Sequence, residues 1–164
     1  MNVPAPLKSA APIPGPPGTH RALVKHTGFL LARVGHVAAK QFGERLTQLG
    51  LTTRMWGALN VLDAEGAMTQ QYLGKHTGID PSSMVATIDD LESRGLVERR
   101  PHPYDRRAHS LHITDEGREV LHRGRALARE AQEELLSPLG REERKLLHDL
   151  LMRLALADEQ GAKP

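Results

Sequence analysis

Apolar residues recur at three- and four-residue spacing over most of this chain, and the breaks in that rhythm mark its elements. From about His20 to Leu49 the stripe runs through Leu30, Val34, Val37, Ala38, Phe42, Leu46 and Leu49, which predicts one long helix. Gly28, Gly35 and Gly43 lie inside it. Each weakens helix propensity by up to ~1 kcal/mol, so packing must hold this helix together. Gly50 is its expected end. A second helix starts after Thr52 or Thr53, carries Trp56, Leu59, Val61 and Leu62, and closes at Glu65-Gly66. A third begins with Thr69 as a hydroxyl cap and runs through Tyr72 and Leu73 to about His76. Thr77-Gly78 turns the chain into a fourth. There Asp80 is a natural N-cap, Pro81 suits the first turn, and Ser82 and Ser83 can help satisfy orphan amides. Met84, Ile88 and Leu91 fall at i, i+4 and i+7, and Gly95 after Arg94 is the expected stop. Two short helices joined by a tight turn with glycine form a helix-turn-helix pattern.

The rhythm then changes. Residues 96–100 and His109 to Ile113 read as two short strands, the second with Leu111 and Ile113 alternating with polar neighbours. Between them residues 101–108 form a polar loop with two prolines and a basic tip at Arg106 and Arg107. Helix, turn, helix and basic hairpin outline a winged helix-turn-helix. Thr114, Asp115 and Glu116 then cap a long helix with Val120, Leu121, Leu127, Ala128, Ala131 and Leu135 on its apolar face. Ser137-Pro138 breaks it. A last helix from about Arg141 to Asp158 carries Leu146, Leu147, Leu150, Leu151, Leu154 and Ala155. These stripes are wide for so small a chain. They either pack on one another within a subunit or, as favoured here, form a dimer interface with the first helix, because a broad apolar face must be buried somewhere. The expected fold is mainly α with a small β-hairpin wing, flanked by N- and C-terminal dimerisation helices. The expected organisation is a Pro-rich flexible arm (1–19), an N-terminal base helix (20–50), the winged lobe (51–114), C-terminal dimerisation helices (115–158) and a tail (159–164).

Composition narrows the function. The 164 residues are 39% hydrophobic but only 3% aromatic, so the core must be aliphatic. Six prolines before His20 favour an extended or disordered arm. The net charge of +2 says little, but Arg94, Arg99, Arg100, Arg106 and Arg107 cluster in one stretch, opposed there by Glu98 and Asp105. A local basic patch points to an anionic partner. The absence of cysteine excludes disulfides, thiolate metal sites and thiol-based sensing. No run approaches the roughly 20 apolar residues of a membrane span, and no signal-peptide pattern is evident. A cytoplasmic protein without membrane contact is expected. No nucleophile motif, phosphate-binding glycine loop or paired-carboxylate constellation is visible, so an enzyme is not expected.

Two segments carry a family resemblance. Leu91-Glu92-Ser93-Arg94-Gly95-Leu96-Val97-Glu98-Arg99 resembles the "LexxGLVeR" signature of MarR-family transcription regulators. Asp105-Arg106-Arg107 followed by residues 111–117, LHITDEG, resembles that family's "DxR…LTxxG" wing signature. The resemblance spans about Arg21 to Asp158. It implies a homodimer whose winged lobes each read half of a pseudo-palindromic operator in double-stranded DNA, usually as a repressor that lets go when a small phenolic or aromatic acid binds. In that geometry the helix from Asp80 to Arg94 enters the major groove. Ser82, Ser83, Val85 and Ala86 then face the bases. Thr69, Gln70, Gln71 and Lys75 anchor phosphates from the preceding helix. Asp105 orients an arginine, Arg107 enters the minor groove, and Arg106 meets phosphate. The helix departs from its relatives, which often carry cations where this chain has Ala86, Asp89 and Asp90. Those carboxylates are read as a solvated or salt-bridged face.

For an effector, Trp56 could wall a pocket with Arg33 or His36 pairing an acid, or it could simply be core. Urate is disfavoured, since urate-responsive members carry an acidic residue where Gly57 stands. No cofactor is implied. Nine histidines raise a metal-responsive alternative, but His109 and His112 fall on opposite faces of a strand, and His20, His26 and His36 make no i, i+4 pair. No metal site is therefore assigned. A winged-helix protein–protein interaction module without sequence-specific DNA binding is the remaining alternative.

Overall fold

The computed structural model describes residues 19, 20, 22–101 and 109–161, the last four by backbone alone. Asp105, Arg106 and Arg107 therefore lie outside the described residues, as does most of the Pro-rich arm. The chain divides into two compact units, Met1–Val37 and Ala38–Pro164. In the first, a 3-10 turn at Leu23–Lys25 precedes the start of α1 (Thr27–Thr47). The single helix expected from His20 thus begins later, after an extended break at His26.

The second unit continues α1 and adds α2 (Thr53–Glu65), β1 (Met68–Thr69), α3 (Gln70–Thr77), α4 (Pro81–Ser93), β2 (Val97–Pro101), β3 (His109–Ile113), α5 (Asp115–Leu135) and α6 (Arg141–Gly161). The expected two-stranded hairpin is part of a three-stranded antiparallel sheet of order β1-β3-β2. The extra strand pairs Met68 with Leu111 and Thr69 with Ser110. Two residues are too short to show an alternating pattern, which is why the sequence reading passed over it. Leu96, expected in a strand, is a turn residue whose amide donates to the Leu91 carbonyl.

Caps explain where the helices start. Thr52, Thr69, Asp80 and Thr114 each accept a hydrogen bond from the amide three residues on, satisfying an otherwise orphan donor. Gly95, at φ +69°, adopts the left-handed turn that ends α4 region. The core is aliphatic as composition requires: Leu46, Met55, Leu59, Leu62, Leu73, Met84, Ile88, Leu91, Leu111 and Leu121 are buried together. It joins α2, α4 and the sheet to α5.

The two signature segments meet in space. The Gly95 carbonyl accepts from the Thr114 hydroxyl at 2.7 Å, and the Leu96 carbonyl accepts from the Thr114 amide at 3.1 Å. Thr114 Oγ1 in turn accepts from the Gly117 amide. A Cβ at Gly117 would stand 2.2 Å from the Leu96 carbonyl oxygen, so the close crossing of α5 over this turn requires glycine. A motif whose halves, Gly95 and Thr114, lie nineteen residues apart is one physical joint.

Candidate nucleic-acid interface

α4 presents its face through a tightly built N-terminus. Asp80 Oδ1 accepts from the Ser83 amide at 3.0 Å and the Ser82 hydroxyl at 2.6 Å. Hydrogen bonds from Ser82, then Ser83, hold the Asp80 carboxyl well below the usual carboxylate range. With Met84, Thr87, Ile88 and Leu91 buried, the opposite stripe of Ser82, Val85, Ala86 and Asp89 is exposed. Of the four base-facing candidates, Ser82, Val85 and Ala86 stand outward; Ser83 is half-buried and its amide serves the cap. At the start of α3, its N-cap Thr69 accepts from the Tyr72 amide at 3.3 Å. Gln70, Gln71 and Lys75 line one cleft together with Asp80 and Pro81. The structure therefore brings the α3 candidates alongside the start of α4.

The acidic end of α4 is compensated from the sheet. Arg99 of β2 pairs with Asp89 at 2.6 Å and with Glu92, whose carboxylate also accepts from the Arg99 amide at 3.2 Å. Burial works against the Arg99 charge, but hydrogen bonds to Asp89 and Glu92, and their charges, outweigh it and push the guanidinium above its ordinary range. Arg100 pairs with Glu98, and Arg94 donates to the Gly50 carbonyl at 2.8 Å. Three arginines of the basic patch legible in the sequence are thus engaged within the protein. Their contribution to an external anion is smaller than the raw count suggests.

A second feature lies away from α4. A cavity of about 650 Å³, open to solvent, is walled by Ala38, Ala39 and Phe42 of α1, Trp56 of α2, Ala128, Ala131 and Leu135 of α5, and Leu147 and Leu151 of α6. Phe42 meets the Trp56 ring edge-to-face at 4.9 Å, and Gly124 leaves room for the indole. Buried Trp56 Nε1 has no hydrogen-bond partner among the described residues. Trp56 is thus both core and cavity wall. The polar part of the lining is Gln132, Arg144, Lys145 and His148. Arg33 and His36 are exposed on α1, and the lining includes neither. The α6 cations were missed because α6 was read only for its leucines; Arg144 and His148 flank Leu147 and Leu151 at helical spacing, a signal that was available. Among the described residues no three His, Asp or Glu side chains converge to hold a metal ion, and no helix is long and apolar enough to cross a membrane.

Comparison with known proteins settles the family. A model of the MarR family matches residues 49–108. A protein of Thauera aromatica, whose name links it to transcriptional regulation of the hcr operon, is 31% identical over 142 residues, covering 86% of each chain. The chain belongs to the MarR family. Among solved structures, the transcriptional repressor CouR bound to a 23-mer DNA duplex superposes with a TM-score of 0.76 at 33% identity, over 82% of this chain and 96% of that one. PcaV from Streptomyces coelicolor in complex with its natural ligand gives 0.72 at 29% identity, over 83% and 96%. This MarR-family protein is a DNA-binding transcription regulator with a winged-helix fold.

Proposed function

We propose that this protein is a homodimeric repressor that reads a pseudo-palindromic operator and is released by a small organic acid. The observation that carries the dimer is α6. None of its described residues is buried, and Leu146, Leu150 and Leu154, at i, i+4 and i+8, are 48%, 42% and 58% exposed. Such a stripe favours association, at about 1 kcal/mol per half-exposed leucine covered. Leu31, Val34 and Val37 of α1 are exposed as well. A second copy offers the same faces, which is the simplest way to cover them. Residues 20–50 and 115–158 serve as the base and 51–114 as the reading lobe. In that lobe Ser82, Val85 and Ala86 meet base edges, Gln70, Gln71 and Lys75 meet phosphate, and Arg107, oriented by Asp105, enters the minor groove.

Release fits the cavity. Its aliphatic and aromatic walls suit an apolar body, and His148, with Arg144 and Lys145 drawn from their pairs with Glu133 and Asp149, suits a carboxylate. The named neighbours support both halves of the reading: CouR is a repressor seen on DNA, and PcaV is seen with a ligand. Such a reader acts in the cytoplasm. Sedimentation tests the dimer. The parent should run as a dimer at micromolar concentration, and the double variant Leu150→Glu/Leu154→Glu as a folded monomer with much weaker operator binding. A monomeric parent would refute the reading.

A further inference from the structure

The exposed stripe of α4 has two edges. Val85, Asp89 and Glu92, at i, i+4 and i+7, run along one, and Arg99 of β2 covers it through its pairs with Asp89 and Glu92. Ser83, Ala86 and Asp90, at i, i+3 and i+7, run along the other. That second edge borders an open cleft of about 390 Å³ whose facing wall is Thr52, Thr53 and Arg54 at the start of α2. Arg54 is exposed and forms no ion pair among the described residues, not even with Asp90 in the same cleft. Arg94, Arg99 and Arg100, the other described arginines of the lobe, are all engaged internally.

A helix lying in a major groove about 12 Å wide has a sugar–phosphate ridge along each side. Arg99 covers one edge of α4 from β2, so the wing strands border that side. The other side falls at the Arg54 cleft. We propose that Arg54, assisted by the Thr53 hydroxyl, is a phosphate-binding residue that holds the DNA strand opposite the one the wing approaches. This rests on the reading in which α4 enters the major groove. An unpaired guanidinium can meet phosphate bidentately. The contact carries no sequence information, so it fixes the position of α4 and adds affinity for any duplex. Asp90, in the same cleft, works against it.

The test uses the full chain and two duplexes of equal length, two to three helical turns: one selected from a random pool with the parent protein, the other of random sequence. Each is titrated across a sodium chloride series. Arg54→Ala is expected to bind both duplexes about threefold to tenfold more weakly at low salt, with the slope of log affinity against log salt shallower by about 1. Arg54→Lys keeps the slope, and Asp90→Asn tightens binding to both. The Arg54→Ala protein should melt as the parent does, since the side chain is exposed. Parent-like affinity and slope for Arg54→Ala, or a loss confined to the selected duplex, would overturn the assignment. A parent that binds neither duplex would overturn the docking of α4 itself.

Discussion

Replacing Arg99 with alanine removes a cation that serves both carboxylates on an edge of α4. The Arg99 side chain is 25% exposed, Asp89 58% and Glu92 38%, so the cluster sits between an exposed pair and a buried one. An exposed pair contributes about 0.2–1 kcal/mol, and hydrogen bonds to charged groups somewhat more. Losing both partners, and the tie between β2 and α4, should cost about 1–2 kcal/mol of stability, read as a lower urea midpoint at unchanged slope. A double-mutant cycle with Asp89→Ala should give a coupling of about 0.5–1 kcal/mol. DNA binding should fall too. Asp89 and Glu92 would then face the phosphates uncompensated, at a cost of about 0.5 kcal/mol for each carboxylate about 8 Å from a phosphate in water. That amounts to roughly threefold to tenfold weaker binding at low salt, and the difference should shrink above about 0.15 M, where the Debye length is about 8 Å. Strictly additive stability effects of Arg99→Ala and Asp89→Ala would show that the pair does not hold in solution. Parent-like DNA binding by Arg99→Ala at low salt would show that this edge of α4 does not approach phosphate.

Gly117→Ala should destabilise the protein by about 3 kcal/mol, because its Cβ would meet the Leu96 backbone oxygen at 2.2 Å and no side-chain rotation can relieve that clash; a parent-like urea midpoint would refute the joint. Asp80 titrates well below its ordinary range in the folded chain, so its charge stabilises the cap fully at neutral pH, and that contribution is lost as pH falls below about 4 toward the folded value. Asp80→Asn, which caps but does not titrate there, should melt below the parent near neutral pH, with the gap narrowing in acid; a pH-independent gap would refute this. Arg107→Ala should weaken operator binding and lower its salt dependence by about one unit of slope, as a lost wing contact would; unchanged binding across a salt titration would remove the wing from the interface. Trp56 is the only tryptophan and lines the cavity, so an aromatic acid that weakens DNA binding should also change its fluorescence; release without any change would place the effector elsewhere.

Much of this was legible because local chemistry and tertiary structure agree. Thr69, Asp80 and Thr114 cap the helices that their positions suggested, and Met84, Ile88 and Leu91 are buried as their spacing predicts. The basic patch was legible as composition but not as availability. Whether Arg94, Arg99 and Arg100 face an external anion depends on partners up to 44 residues away, such as the Gly50 carbonyl that Arg94 meets. Arg54 was passed over for the same reason, since only folding sets the start of α2 beside the edge of α4. For the cavity, Trp56 was identifiable as an isolated aromatic. Arg33 and His36 were taken as the polar groups of the first helix, whereas the cations beside the cavity come from α6, about ninety residues after Trp56. Gly117 shows the reverse case: its place in the signature was plain, while the reason for it, the Leu96 carbonyl, appears only in three dimensions.

Selection of binding sites from a random duplex pool tests the central claim most directly. A dimer presenting two α4 helices should enrich an inverted repeat with half-site centres about one helical turn apart, bound by two chains per duplex. Enrichment of a single unrepeated motif bound by one chain, or no enrichment above random sequence, would contradict it.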